Sequence, residues 1–200
     1  MLTTRPGSAG FSLIELMIGL TVLGILIMVG LPSLATWLQN TQIRTAAESM
    51  QSGLQLARAE ALRRNTAVRF QLVDSLTAAC ALSATGTNWV VSQADPTGAC
   101  QVDPSDTTAP QIIQKKAGAE GAANAVVTAT GGSSVTFNGI GRVVGAAPIT
   151  RVDITNTKGG ACKTAAGEEP MRCLRVTVSS AGQVRMCDPS VTDVTDPRSC

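Results

Sequence analysis

Residues 11–31 read F-S-L-I-E-L-M-I-G-L-T-V-L-G-I-L-I-M-V-G-L, and this stretch decides the architecture. It holds 21 residues and a single charge, Glu15. A helix rising ~1.5 Å per residue makes this run about 30 Å long, the thickness of a hydrocarbon core. Such a run is too long and too apolar for an ordinary core helix. The segment before it, M-L-T-T-R-P-G-S-A-G, is polar and carries Arg5. A secretory signal is cut after its apolar region, beside small residues. Here Pro32, Ser33 and Leu34 follow, and a helical pattern continues. The apolar run is therefore expected to stay in the protein. Arg5 favours a cytoplasmic N-terminus, with the rest of the chain outside.

Glu15 is the odd residue of the run. A carboxylate in hydrocarbon costs about 3 kcal/mol, so it needs a partner or a function. The plainer alternative is a partly hydrated acid near the start of the helix.

Pro32 sits just after the run, Gly19, Gly24 and Gly30 within it also dilute helix propensity, and a bend or local melting is expected there. From 33 to 65 the period is helical again. Leu34, Trp37, Leu38, Ile43, Ala46, Ala47, Met50, Leu54, Ala57 and Ala61 form one apolar stripe, read as core. Trp37 also suits an interfacial anchor.

After Asn65 the period falls to two. Val68-Arg69-Phe70-Gln71-Leu72 alternates as a half-buried strand does. Further strands are expected at 88–92, 111–114, 134–138, 149–155, 173–179 and 183–187. Ser180-Ala181-Gly182 turns the last two into a hairpin. Segments 95–110 and 118–132, rich in small residues and proline, read as loops. Lys115-Lys116 reads as a solvated charge pair in a strand-end loop. The fold class is α+β: a long N-terminal transmembrane helix packed on an antiparallel β-sheet head.

Six cysteines, Cys80, Cys100, Cys162, Cys173, Cys187 and Cys200, all lie C-terminal to the helical stretch that ends near residue 65. None forms a CxxC pair. An even set of this kind reads as disulfides made in an oxidising compartment, with connectivity left open by the spacing. Pairing of sequence neighbours is the simplest arrangement. The alternative is free buried thiols in a cytosolic protein. The membrane-length apolar run, which supports export, argues against it.

The chain has no histidine, which removes the commonest general base and metal ligand. No nucleophile–base set, phosphate loop or metal cluster is visible. Catalysis, cofactors and metals are not expected. The net charge of +2 is too small for electrostatics to dominate partner choice.

Gly10-Phe11-Ser12-Leu13-Ile14-Glu15-Leu16 resembles the class III signal of type IV pilins and type II secretion pseudopilins. The resemblance implies cleavage by prepilin peptidase between Gly10 and Phe11, and N-methylation of Phe11. It also implies that Glu15 is the assembly residue, pairing with the terminal ammonium of a neighbouring subunit. Ala57-Arg58-Ala59-Glu60-Ala61-Leu62-Arg63-Arg64-Asn65 is similar to the A-R-x-E-A-x-x-x-N segment of the GspH/FimT branch, which includes FimT/FimU-like minor pilins. Phe137-Asn138-Gly139-Ile140-Gly141-Arg142 and residues 174–185 are similar to further segments of that branch.

The implied organisation is a leader at 1–10, a transmembrane segment at 11–31, the periplasmic half of the helix at 32–65, and a β-rich, disulfide-bearing head at 66–200. The implied role is a minor pilin that primes or caps a type IV pilus; a type II secretion pseudopilin is the alternative. The implied partners are prepilin peptidase, other pilins or pseudopilins, the inner-membrane assembly platform and the lipid bilayer. The implied location is the cell inner membrane, crossed once, with the head in the periplasm.

Some proteins of the FimT type carry a C-terminal G-R-x-R motif that binds DNA. Here Gly182-Gln183-Val184-Arg185 lacks one of the two basic residues. Basic residues outnumber acidic ones from 142 to 185, so Arg175 and Arg185 are the candidate DNA contacts. Ordinary solvated strand residues explain both arginines more simply.

Overall fold

A computed structural model describes residues 11–118, 120–164, 167 and 170–200. Gly10, the residue before the expected cleavage point, lies outside the described residues. The chain divides into two compact units, Met1–Trp37 and Leu38–Cys200.

One helix, α1 (Leu13–Arg64), belongs in part to each unit. It is unbroken past residue 32, so the expected melting is not found. One missing N–H donor does not open a helix whose neighbouring turns are intact. At its C-terminus Asn65 adopts a left-handed conformation, φ 50°. Asn65 N donates to Leu62 O and Thr66 N to Ala61 O, both at 3.3 Å. This is a Schellman cap, which satisfies the last carbonyls and stops the helix.

Among the described residues nine strands follow: β1 (Val68–Val73), β2 (Asn88–Ser92), β3 (Ile112–Lys116), β4 (Val126–Thr130), β5 (Ser134–Phe137), β6 (Val143–Val144), β7 (Arg151–Thr155), β8 (Leu174–Val178) and β9 (Val184–Cys187). They make two antiparallel sheets, ordered β3-β2-β1-β5-β6 and β4-β7-β8-β9.

The expected loop at 118–132 contains β4. Val127 and Ala129 are buried while Val126, Thr128 and Thr130 face outward. The alternation is real, but alanine and threonine give it little hydrophobic contrast. The short β6 was likewise not expected. Lys115 and Lys116 also lie inside a strand, both half-buried. The Lys115 ammonium donates to the carbonyls of Cys100, Gln101 and Val102. Its charge is spent on holding a loop rather than on water.

The core of the second unit forms where α1 meets the sheets. Ile43, Ala46, Ala47, Met50, Leu54, Ala57 and Ala61 are buried. Leu34, Trp37 and Leu38 are exposed, so the buried stripe starts later than its period suggests. Opposite lie Phe70, Leu72, Trp89, Val91, Val135, Phe137, Val152, Ile154 and Val176. Each large side chain removed from water contributes roughly 1.5–3 kcal/mol. Gly53 lets the helix approach closely. A methyl group there would sit 2.8 Å from the Phe70 ring and 3.1 Å from Trp89. The buried Trp89 indole donates to Ser49 Oγ at 2.9 Å, so its polar edge is satisfied.

A second apolar cluster, Val73, Cys80, Val90, Cys100 and Ile112, covers the other face of the first sheet. Disulfides join Cys80 to Cys100, Cys162 to Cys173 and Cys187 to Cys200.

Candidate functional site

The first candidate is the start of α1. Phe11 is 88% exposed. Ser12 caps the helix: Glu15 N donates to Ser12 Oγ at 3.3 Å, and Ser12 N donates to Glu15 Oε2 at 3.3 Å. This reciprocal S-x-x-E arrangement is a capping box. It holds the Glu15 carboxylate at the N-terminal end of the helix, beside Phe11, where the helix dipole favours an anion. From Leu13 to Met28 the side chains are exposed. α1 is long and apolar enough there to cross a membrane.

The second candidate is the far end of α1, where three segments converge. Arg58 Nε donates to the Gly141 carbonyl at 3.2 Å. Asn138 Oδ1 accepts from the backbone N–H groups of Ile140 and Arg142 and shapes the turn between β5 and β6. Gly139 lies against Asn65, and Gly182 lies against the Gly141 carbonyl, too close in both cases for a side chain. Val143 N donates to Ser180 O at 3.2 Å, which ties the turn to the β8–β9 hairpin. Glycines at 139 and 182 thus serve close backbone approach, while Gly141 holds a left-handed φ of 74°.

Glu60 bridges Arg63 and Arg64, each at 2.7 Å, and Arg64 reaches Asp106 at 2.6 Å. The hydrogen bond from Arg63 and then that from Arg64 hold the Glu60 carboxyl down at about 2, against some opposition from burial. These ion pairs join the helix end to the loop before β3.

Both candidate DNA contacts are engaged within the chain. Arg175 Nε donates to Asp153 Oδ1 at 2.7 Å. Arg151 shares that carboxylate at 2.8 Å, as a charge contact without an aligned N–H. Arg185 donates to the carbonyls of Pro197 and Ser199 at 2.7 and 2.9 Å, and so holds the C-terminal loop. Among the described residues no group of three or more Cys, Asp or Glu side chains could hold a metal ion.

A family model described as "Type II transport protein GspH" matches residues 46–182, and a "Prokaryotic N-terminal methylation motif" matches residues 5–31. The chain belongs to the GspH family. The match takes in the helix from residue 46, the first sheet and β4, β7 and β8 of the second, and it ends at Gly182, before β9 of this GspH-family head. Two crystal structures of the Pseudomonas aeruginosa (strain PAO1) type IV minor pilin FimU are similar to it. One is 18% identical, with a TM-score of 0.46 over 72% of this chain and 90% of that one. The other is 19% identical, with a TM-score of 0.46 over 72% of this chain and 87% of that one. No curated protein matches the sequence.

Sequence reasoning missed the Arg58–Gly141 bond and the Ser49–Trp89 bond. A basic residue three positions before the end of the buried stripe gives no sign of its distant partner. The glycines of 137–142 belong to a segment that resembles the family, and their physical reason emerges only in three dimensions.

Proposed function

We propose that this chain is a minor pilin, a low-abundance filament subunit that primes or caps a type IV pilus. Prepilin peptidase would cut between Gly10 and Phe11, and the new terminus would be methylated. The stem from Phe11 to Leu31 would remain in the inner membrane, with the head in the periplasm, until the assembly platform adds the subunit to a filament. The observation that carries this reading is Glu15, a capping carboxylate beside Phe11 on an otherwise apolar, exposed stem.

The charge logic is simple. Cleavage creates an ammonium at Phe11, and Glu15 supplies an anion within one helical turn. Each charge alone is unfavourable in lipid, while a close pair is attractive in low dielectric. Pairing with the ammonium of a neighbouring subunit would set axial register during assembly.

A pseudopilin of type II secretion is the second reading, favoured by the description of the matching family. Deleting the gene distinguishes the machines: loss of surface pili supports the first, and loss of secreted enzymes with normal piliation supports the second. DNA capture gains no specific support, because Arg175 and Arg185 are already bonded within the chain.

The decisive experiment is mass spectrometry of the protein from native membranes and sheared filaments. The expected product begins with methyl-Phe at residue 11. A mature chain that begins at Met1, or that lacks the stem, would overturn the reading.

A further inference from the structure

The two sheets end in four edge strands, β3, β6, β4 and β9. An unpaired strand edge is a template for another chain, and proteins usually guard it. Three of these edges are guarded. Gly86 N donates to Val127 O at 3.1 Å and Ala129 N to Ala84 O at 2.7 Å, so residues 84–86 cover β4. β3 carries Lys115 and Lys116, and its Ile112 carbonyl accepts from Ser105 N at 2.9 Å. β6 is two residues long, and its Val143 N is bonded to Ser180.

β9 differs. Ser179 N donates to Gln183 O, and Val178 N donates to Thr150 O on the other side of β8. Thr177 faces Arg185 and Arg175 faces Cys187 in the ladder. By the period of two, the main-chain groups of Val184 and Met186 point away from β8. The C-terminal loop is tied to β9 by the Arg185 side chain and by the Cys187–Cys200 disulfide, but among the described residues its main-chain bond to this edge comes only past Met186, where Asp188 N–H donates to Arg198 O at 2.7 Å. Among the described residues, no main-chain partner meets Val184 or Met186.

Beside this open edge lies a groove of about 380 Å³ between α1 and β9, lined by Gln55, Arg58, Ala59, Leu62, Gln183 and Val184. Leu62 is 49% exposed there, and Ile140, in the turn packed near Leu62, is 67% exposed. Free strand groups and unpartnered apolar surface thus meet at one place.

We propose that β9 and this groove receive an extended segment of a neighbouring filament subunit, added as a fifth strand to the second sheet. Outward groups at every second residue match an extended strand and neither a helix nor a small ligand. The groove asks for apolar side chains at alternate positions, against Ala59 and Leu62. The cation of Arg58 in the lining favours an acidic residue at one end of the segment. The choice of occupant rests on the filament reading, and strand addition would fix the rotation of the head against its neighbour.

The test uses the full chain in its own cells, with photoreactive p-benzoylphenylalanine in place of Gln183 and, as a control, in place of the exposed Thr107. Irradiation of sheared filaments should give an adduct at 183 only, to an extended segment of another subunit. Val184→Pro removes one outward N–H and leaves the bonds to β8 in place. It should lower adduct yield about fivefold, as the loss of one net hydrogen bond implies. Leu62→Lys should lower it comparably. Both variants should melt close to the parent, which separates lost docking from lost folding. If the chain sits in filaments but gives no adduct at 183, or one that both variants leave unchanged, the strand proposal fails and the filament reading stands. If the chain is absent from filaments, the filament reading fails and takes the named occupant with it.

Discussion

Arg58 on α1 donates to the carbonyl of Gly141 in the β5–β6 turn at 3.2 Å, and Gly182 of the β8–β9 hairpin packs on the same carbonyl. One helix and two turns from different sheets share a single oxygen. Gly182 has φ 82°, and a side chain there would collide with that oxygen. Gly182→Ala should therefore destabilise the protein by about 2–3 kcal/mol, from overpacking plus backbone strain. Gly145, at φ 114° with open space around it, should lose only about 1 kcal/mol on the same change. Urea unfolding of the two variants in detergent checks the difference.

Arg58→Met keeps the aliphatic stem and removes the donor. The cost should be about 1–3 kcal/mol, since Gly141 itself is buried even though its neighbours in the turn are exposed. Hydrogen exchange should quicken at Gly141 and Val143 first.

Ser49→Ala leaves the Trp89 indole N–H buried without its acceptor. Its expected cost is about 1–3 kcal/mol, more than an exposed helix serine would show. Ser52→Ala, one turn away at an exposed position, is the comparison and should be nearly neutral.

The Glu60 carboxyl sits at about 2, below its ordinary 4.5, because Arg63 and Arg64 bond its charged form. A depressed folded value means its stabilisation is complete above the unfolded value and fades as pH falls from about 4.5 towards 2. Thermal melting between pH 2 and 6 should show this slope in the parent. Glu60→Gln should flatten it, and both proteins should converge at the acidic end.

Much of this fold is legible in the sequence, and the gaps have physical causes. The apolar run, the helical stripe from Ile43 onward and the alternating Val68–Leu72 segment carry strong hydrophobic contrast, and the structure places helix and strand there. β4 is hidden because its inward residues are Val127 and Ala129, and alanine barely differs from the threonines beside it. Leu34, Trp37 and Leu38 share the helical phase of the core yet are exposed, because phase reports direction and says nothing of how far along the helix the sheets extend. The two-sheet arrangement was also out of reach, since period two marks a strand without naming its neighbours. The cap at Ser12 and Glu15 uses a visible S-x-x-E spacing, whereas the bond from Arg58 spans 83 residues and leaves no local trace.

All three disulfides close short stretches, with separations of 20, 11 and 13 residues, and none links α1 to a strand. The helix–sheet interior therefore asks nothing of an oxidant in order to form. A freshly exported head can collapse first and be stapled afterwards. A cell short of oxidising power would accumulate heads that are sound inside and frayed at their margins.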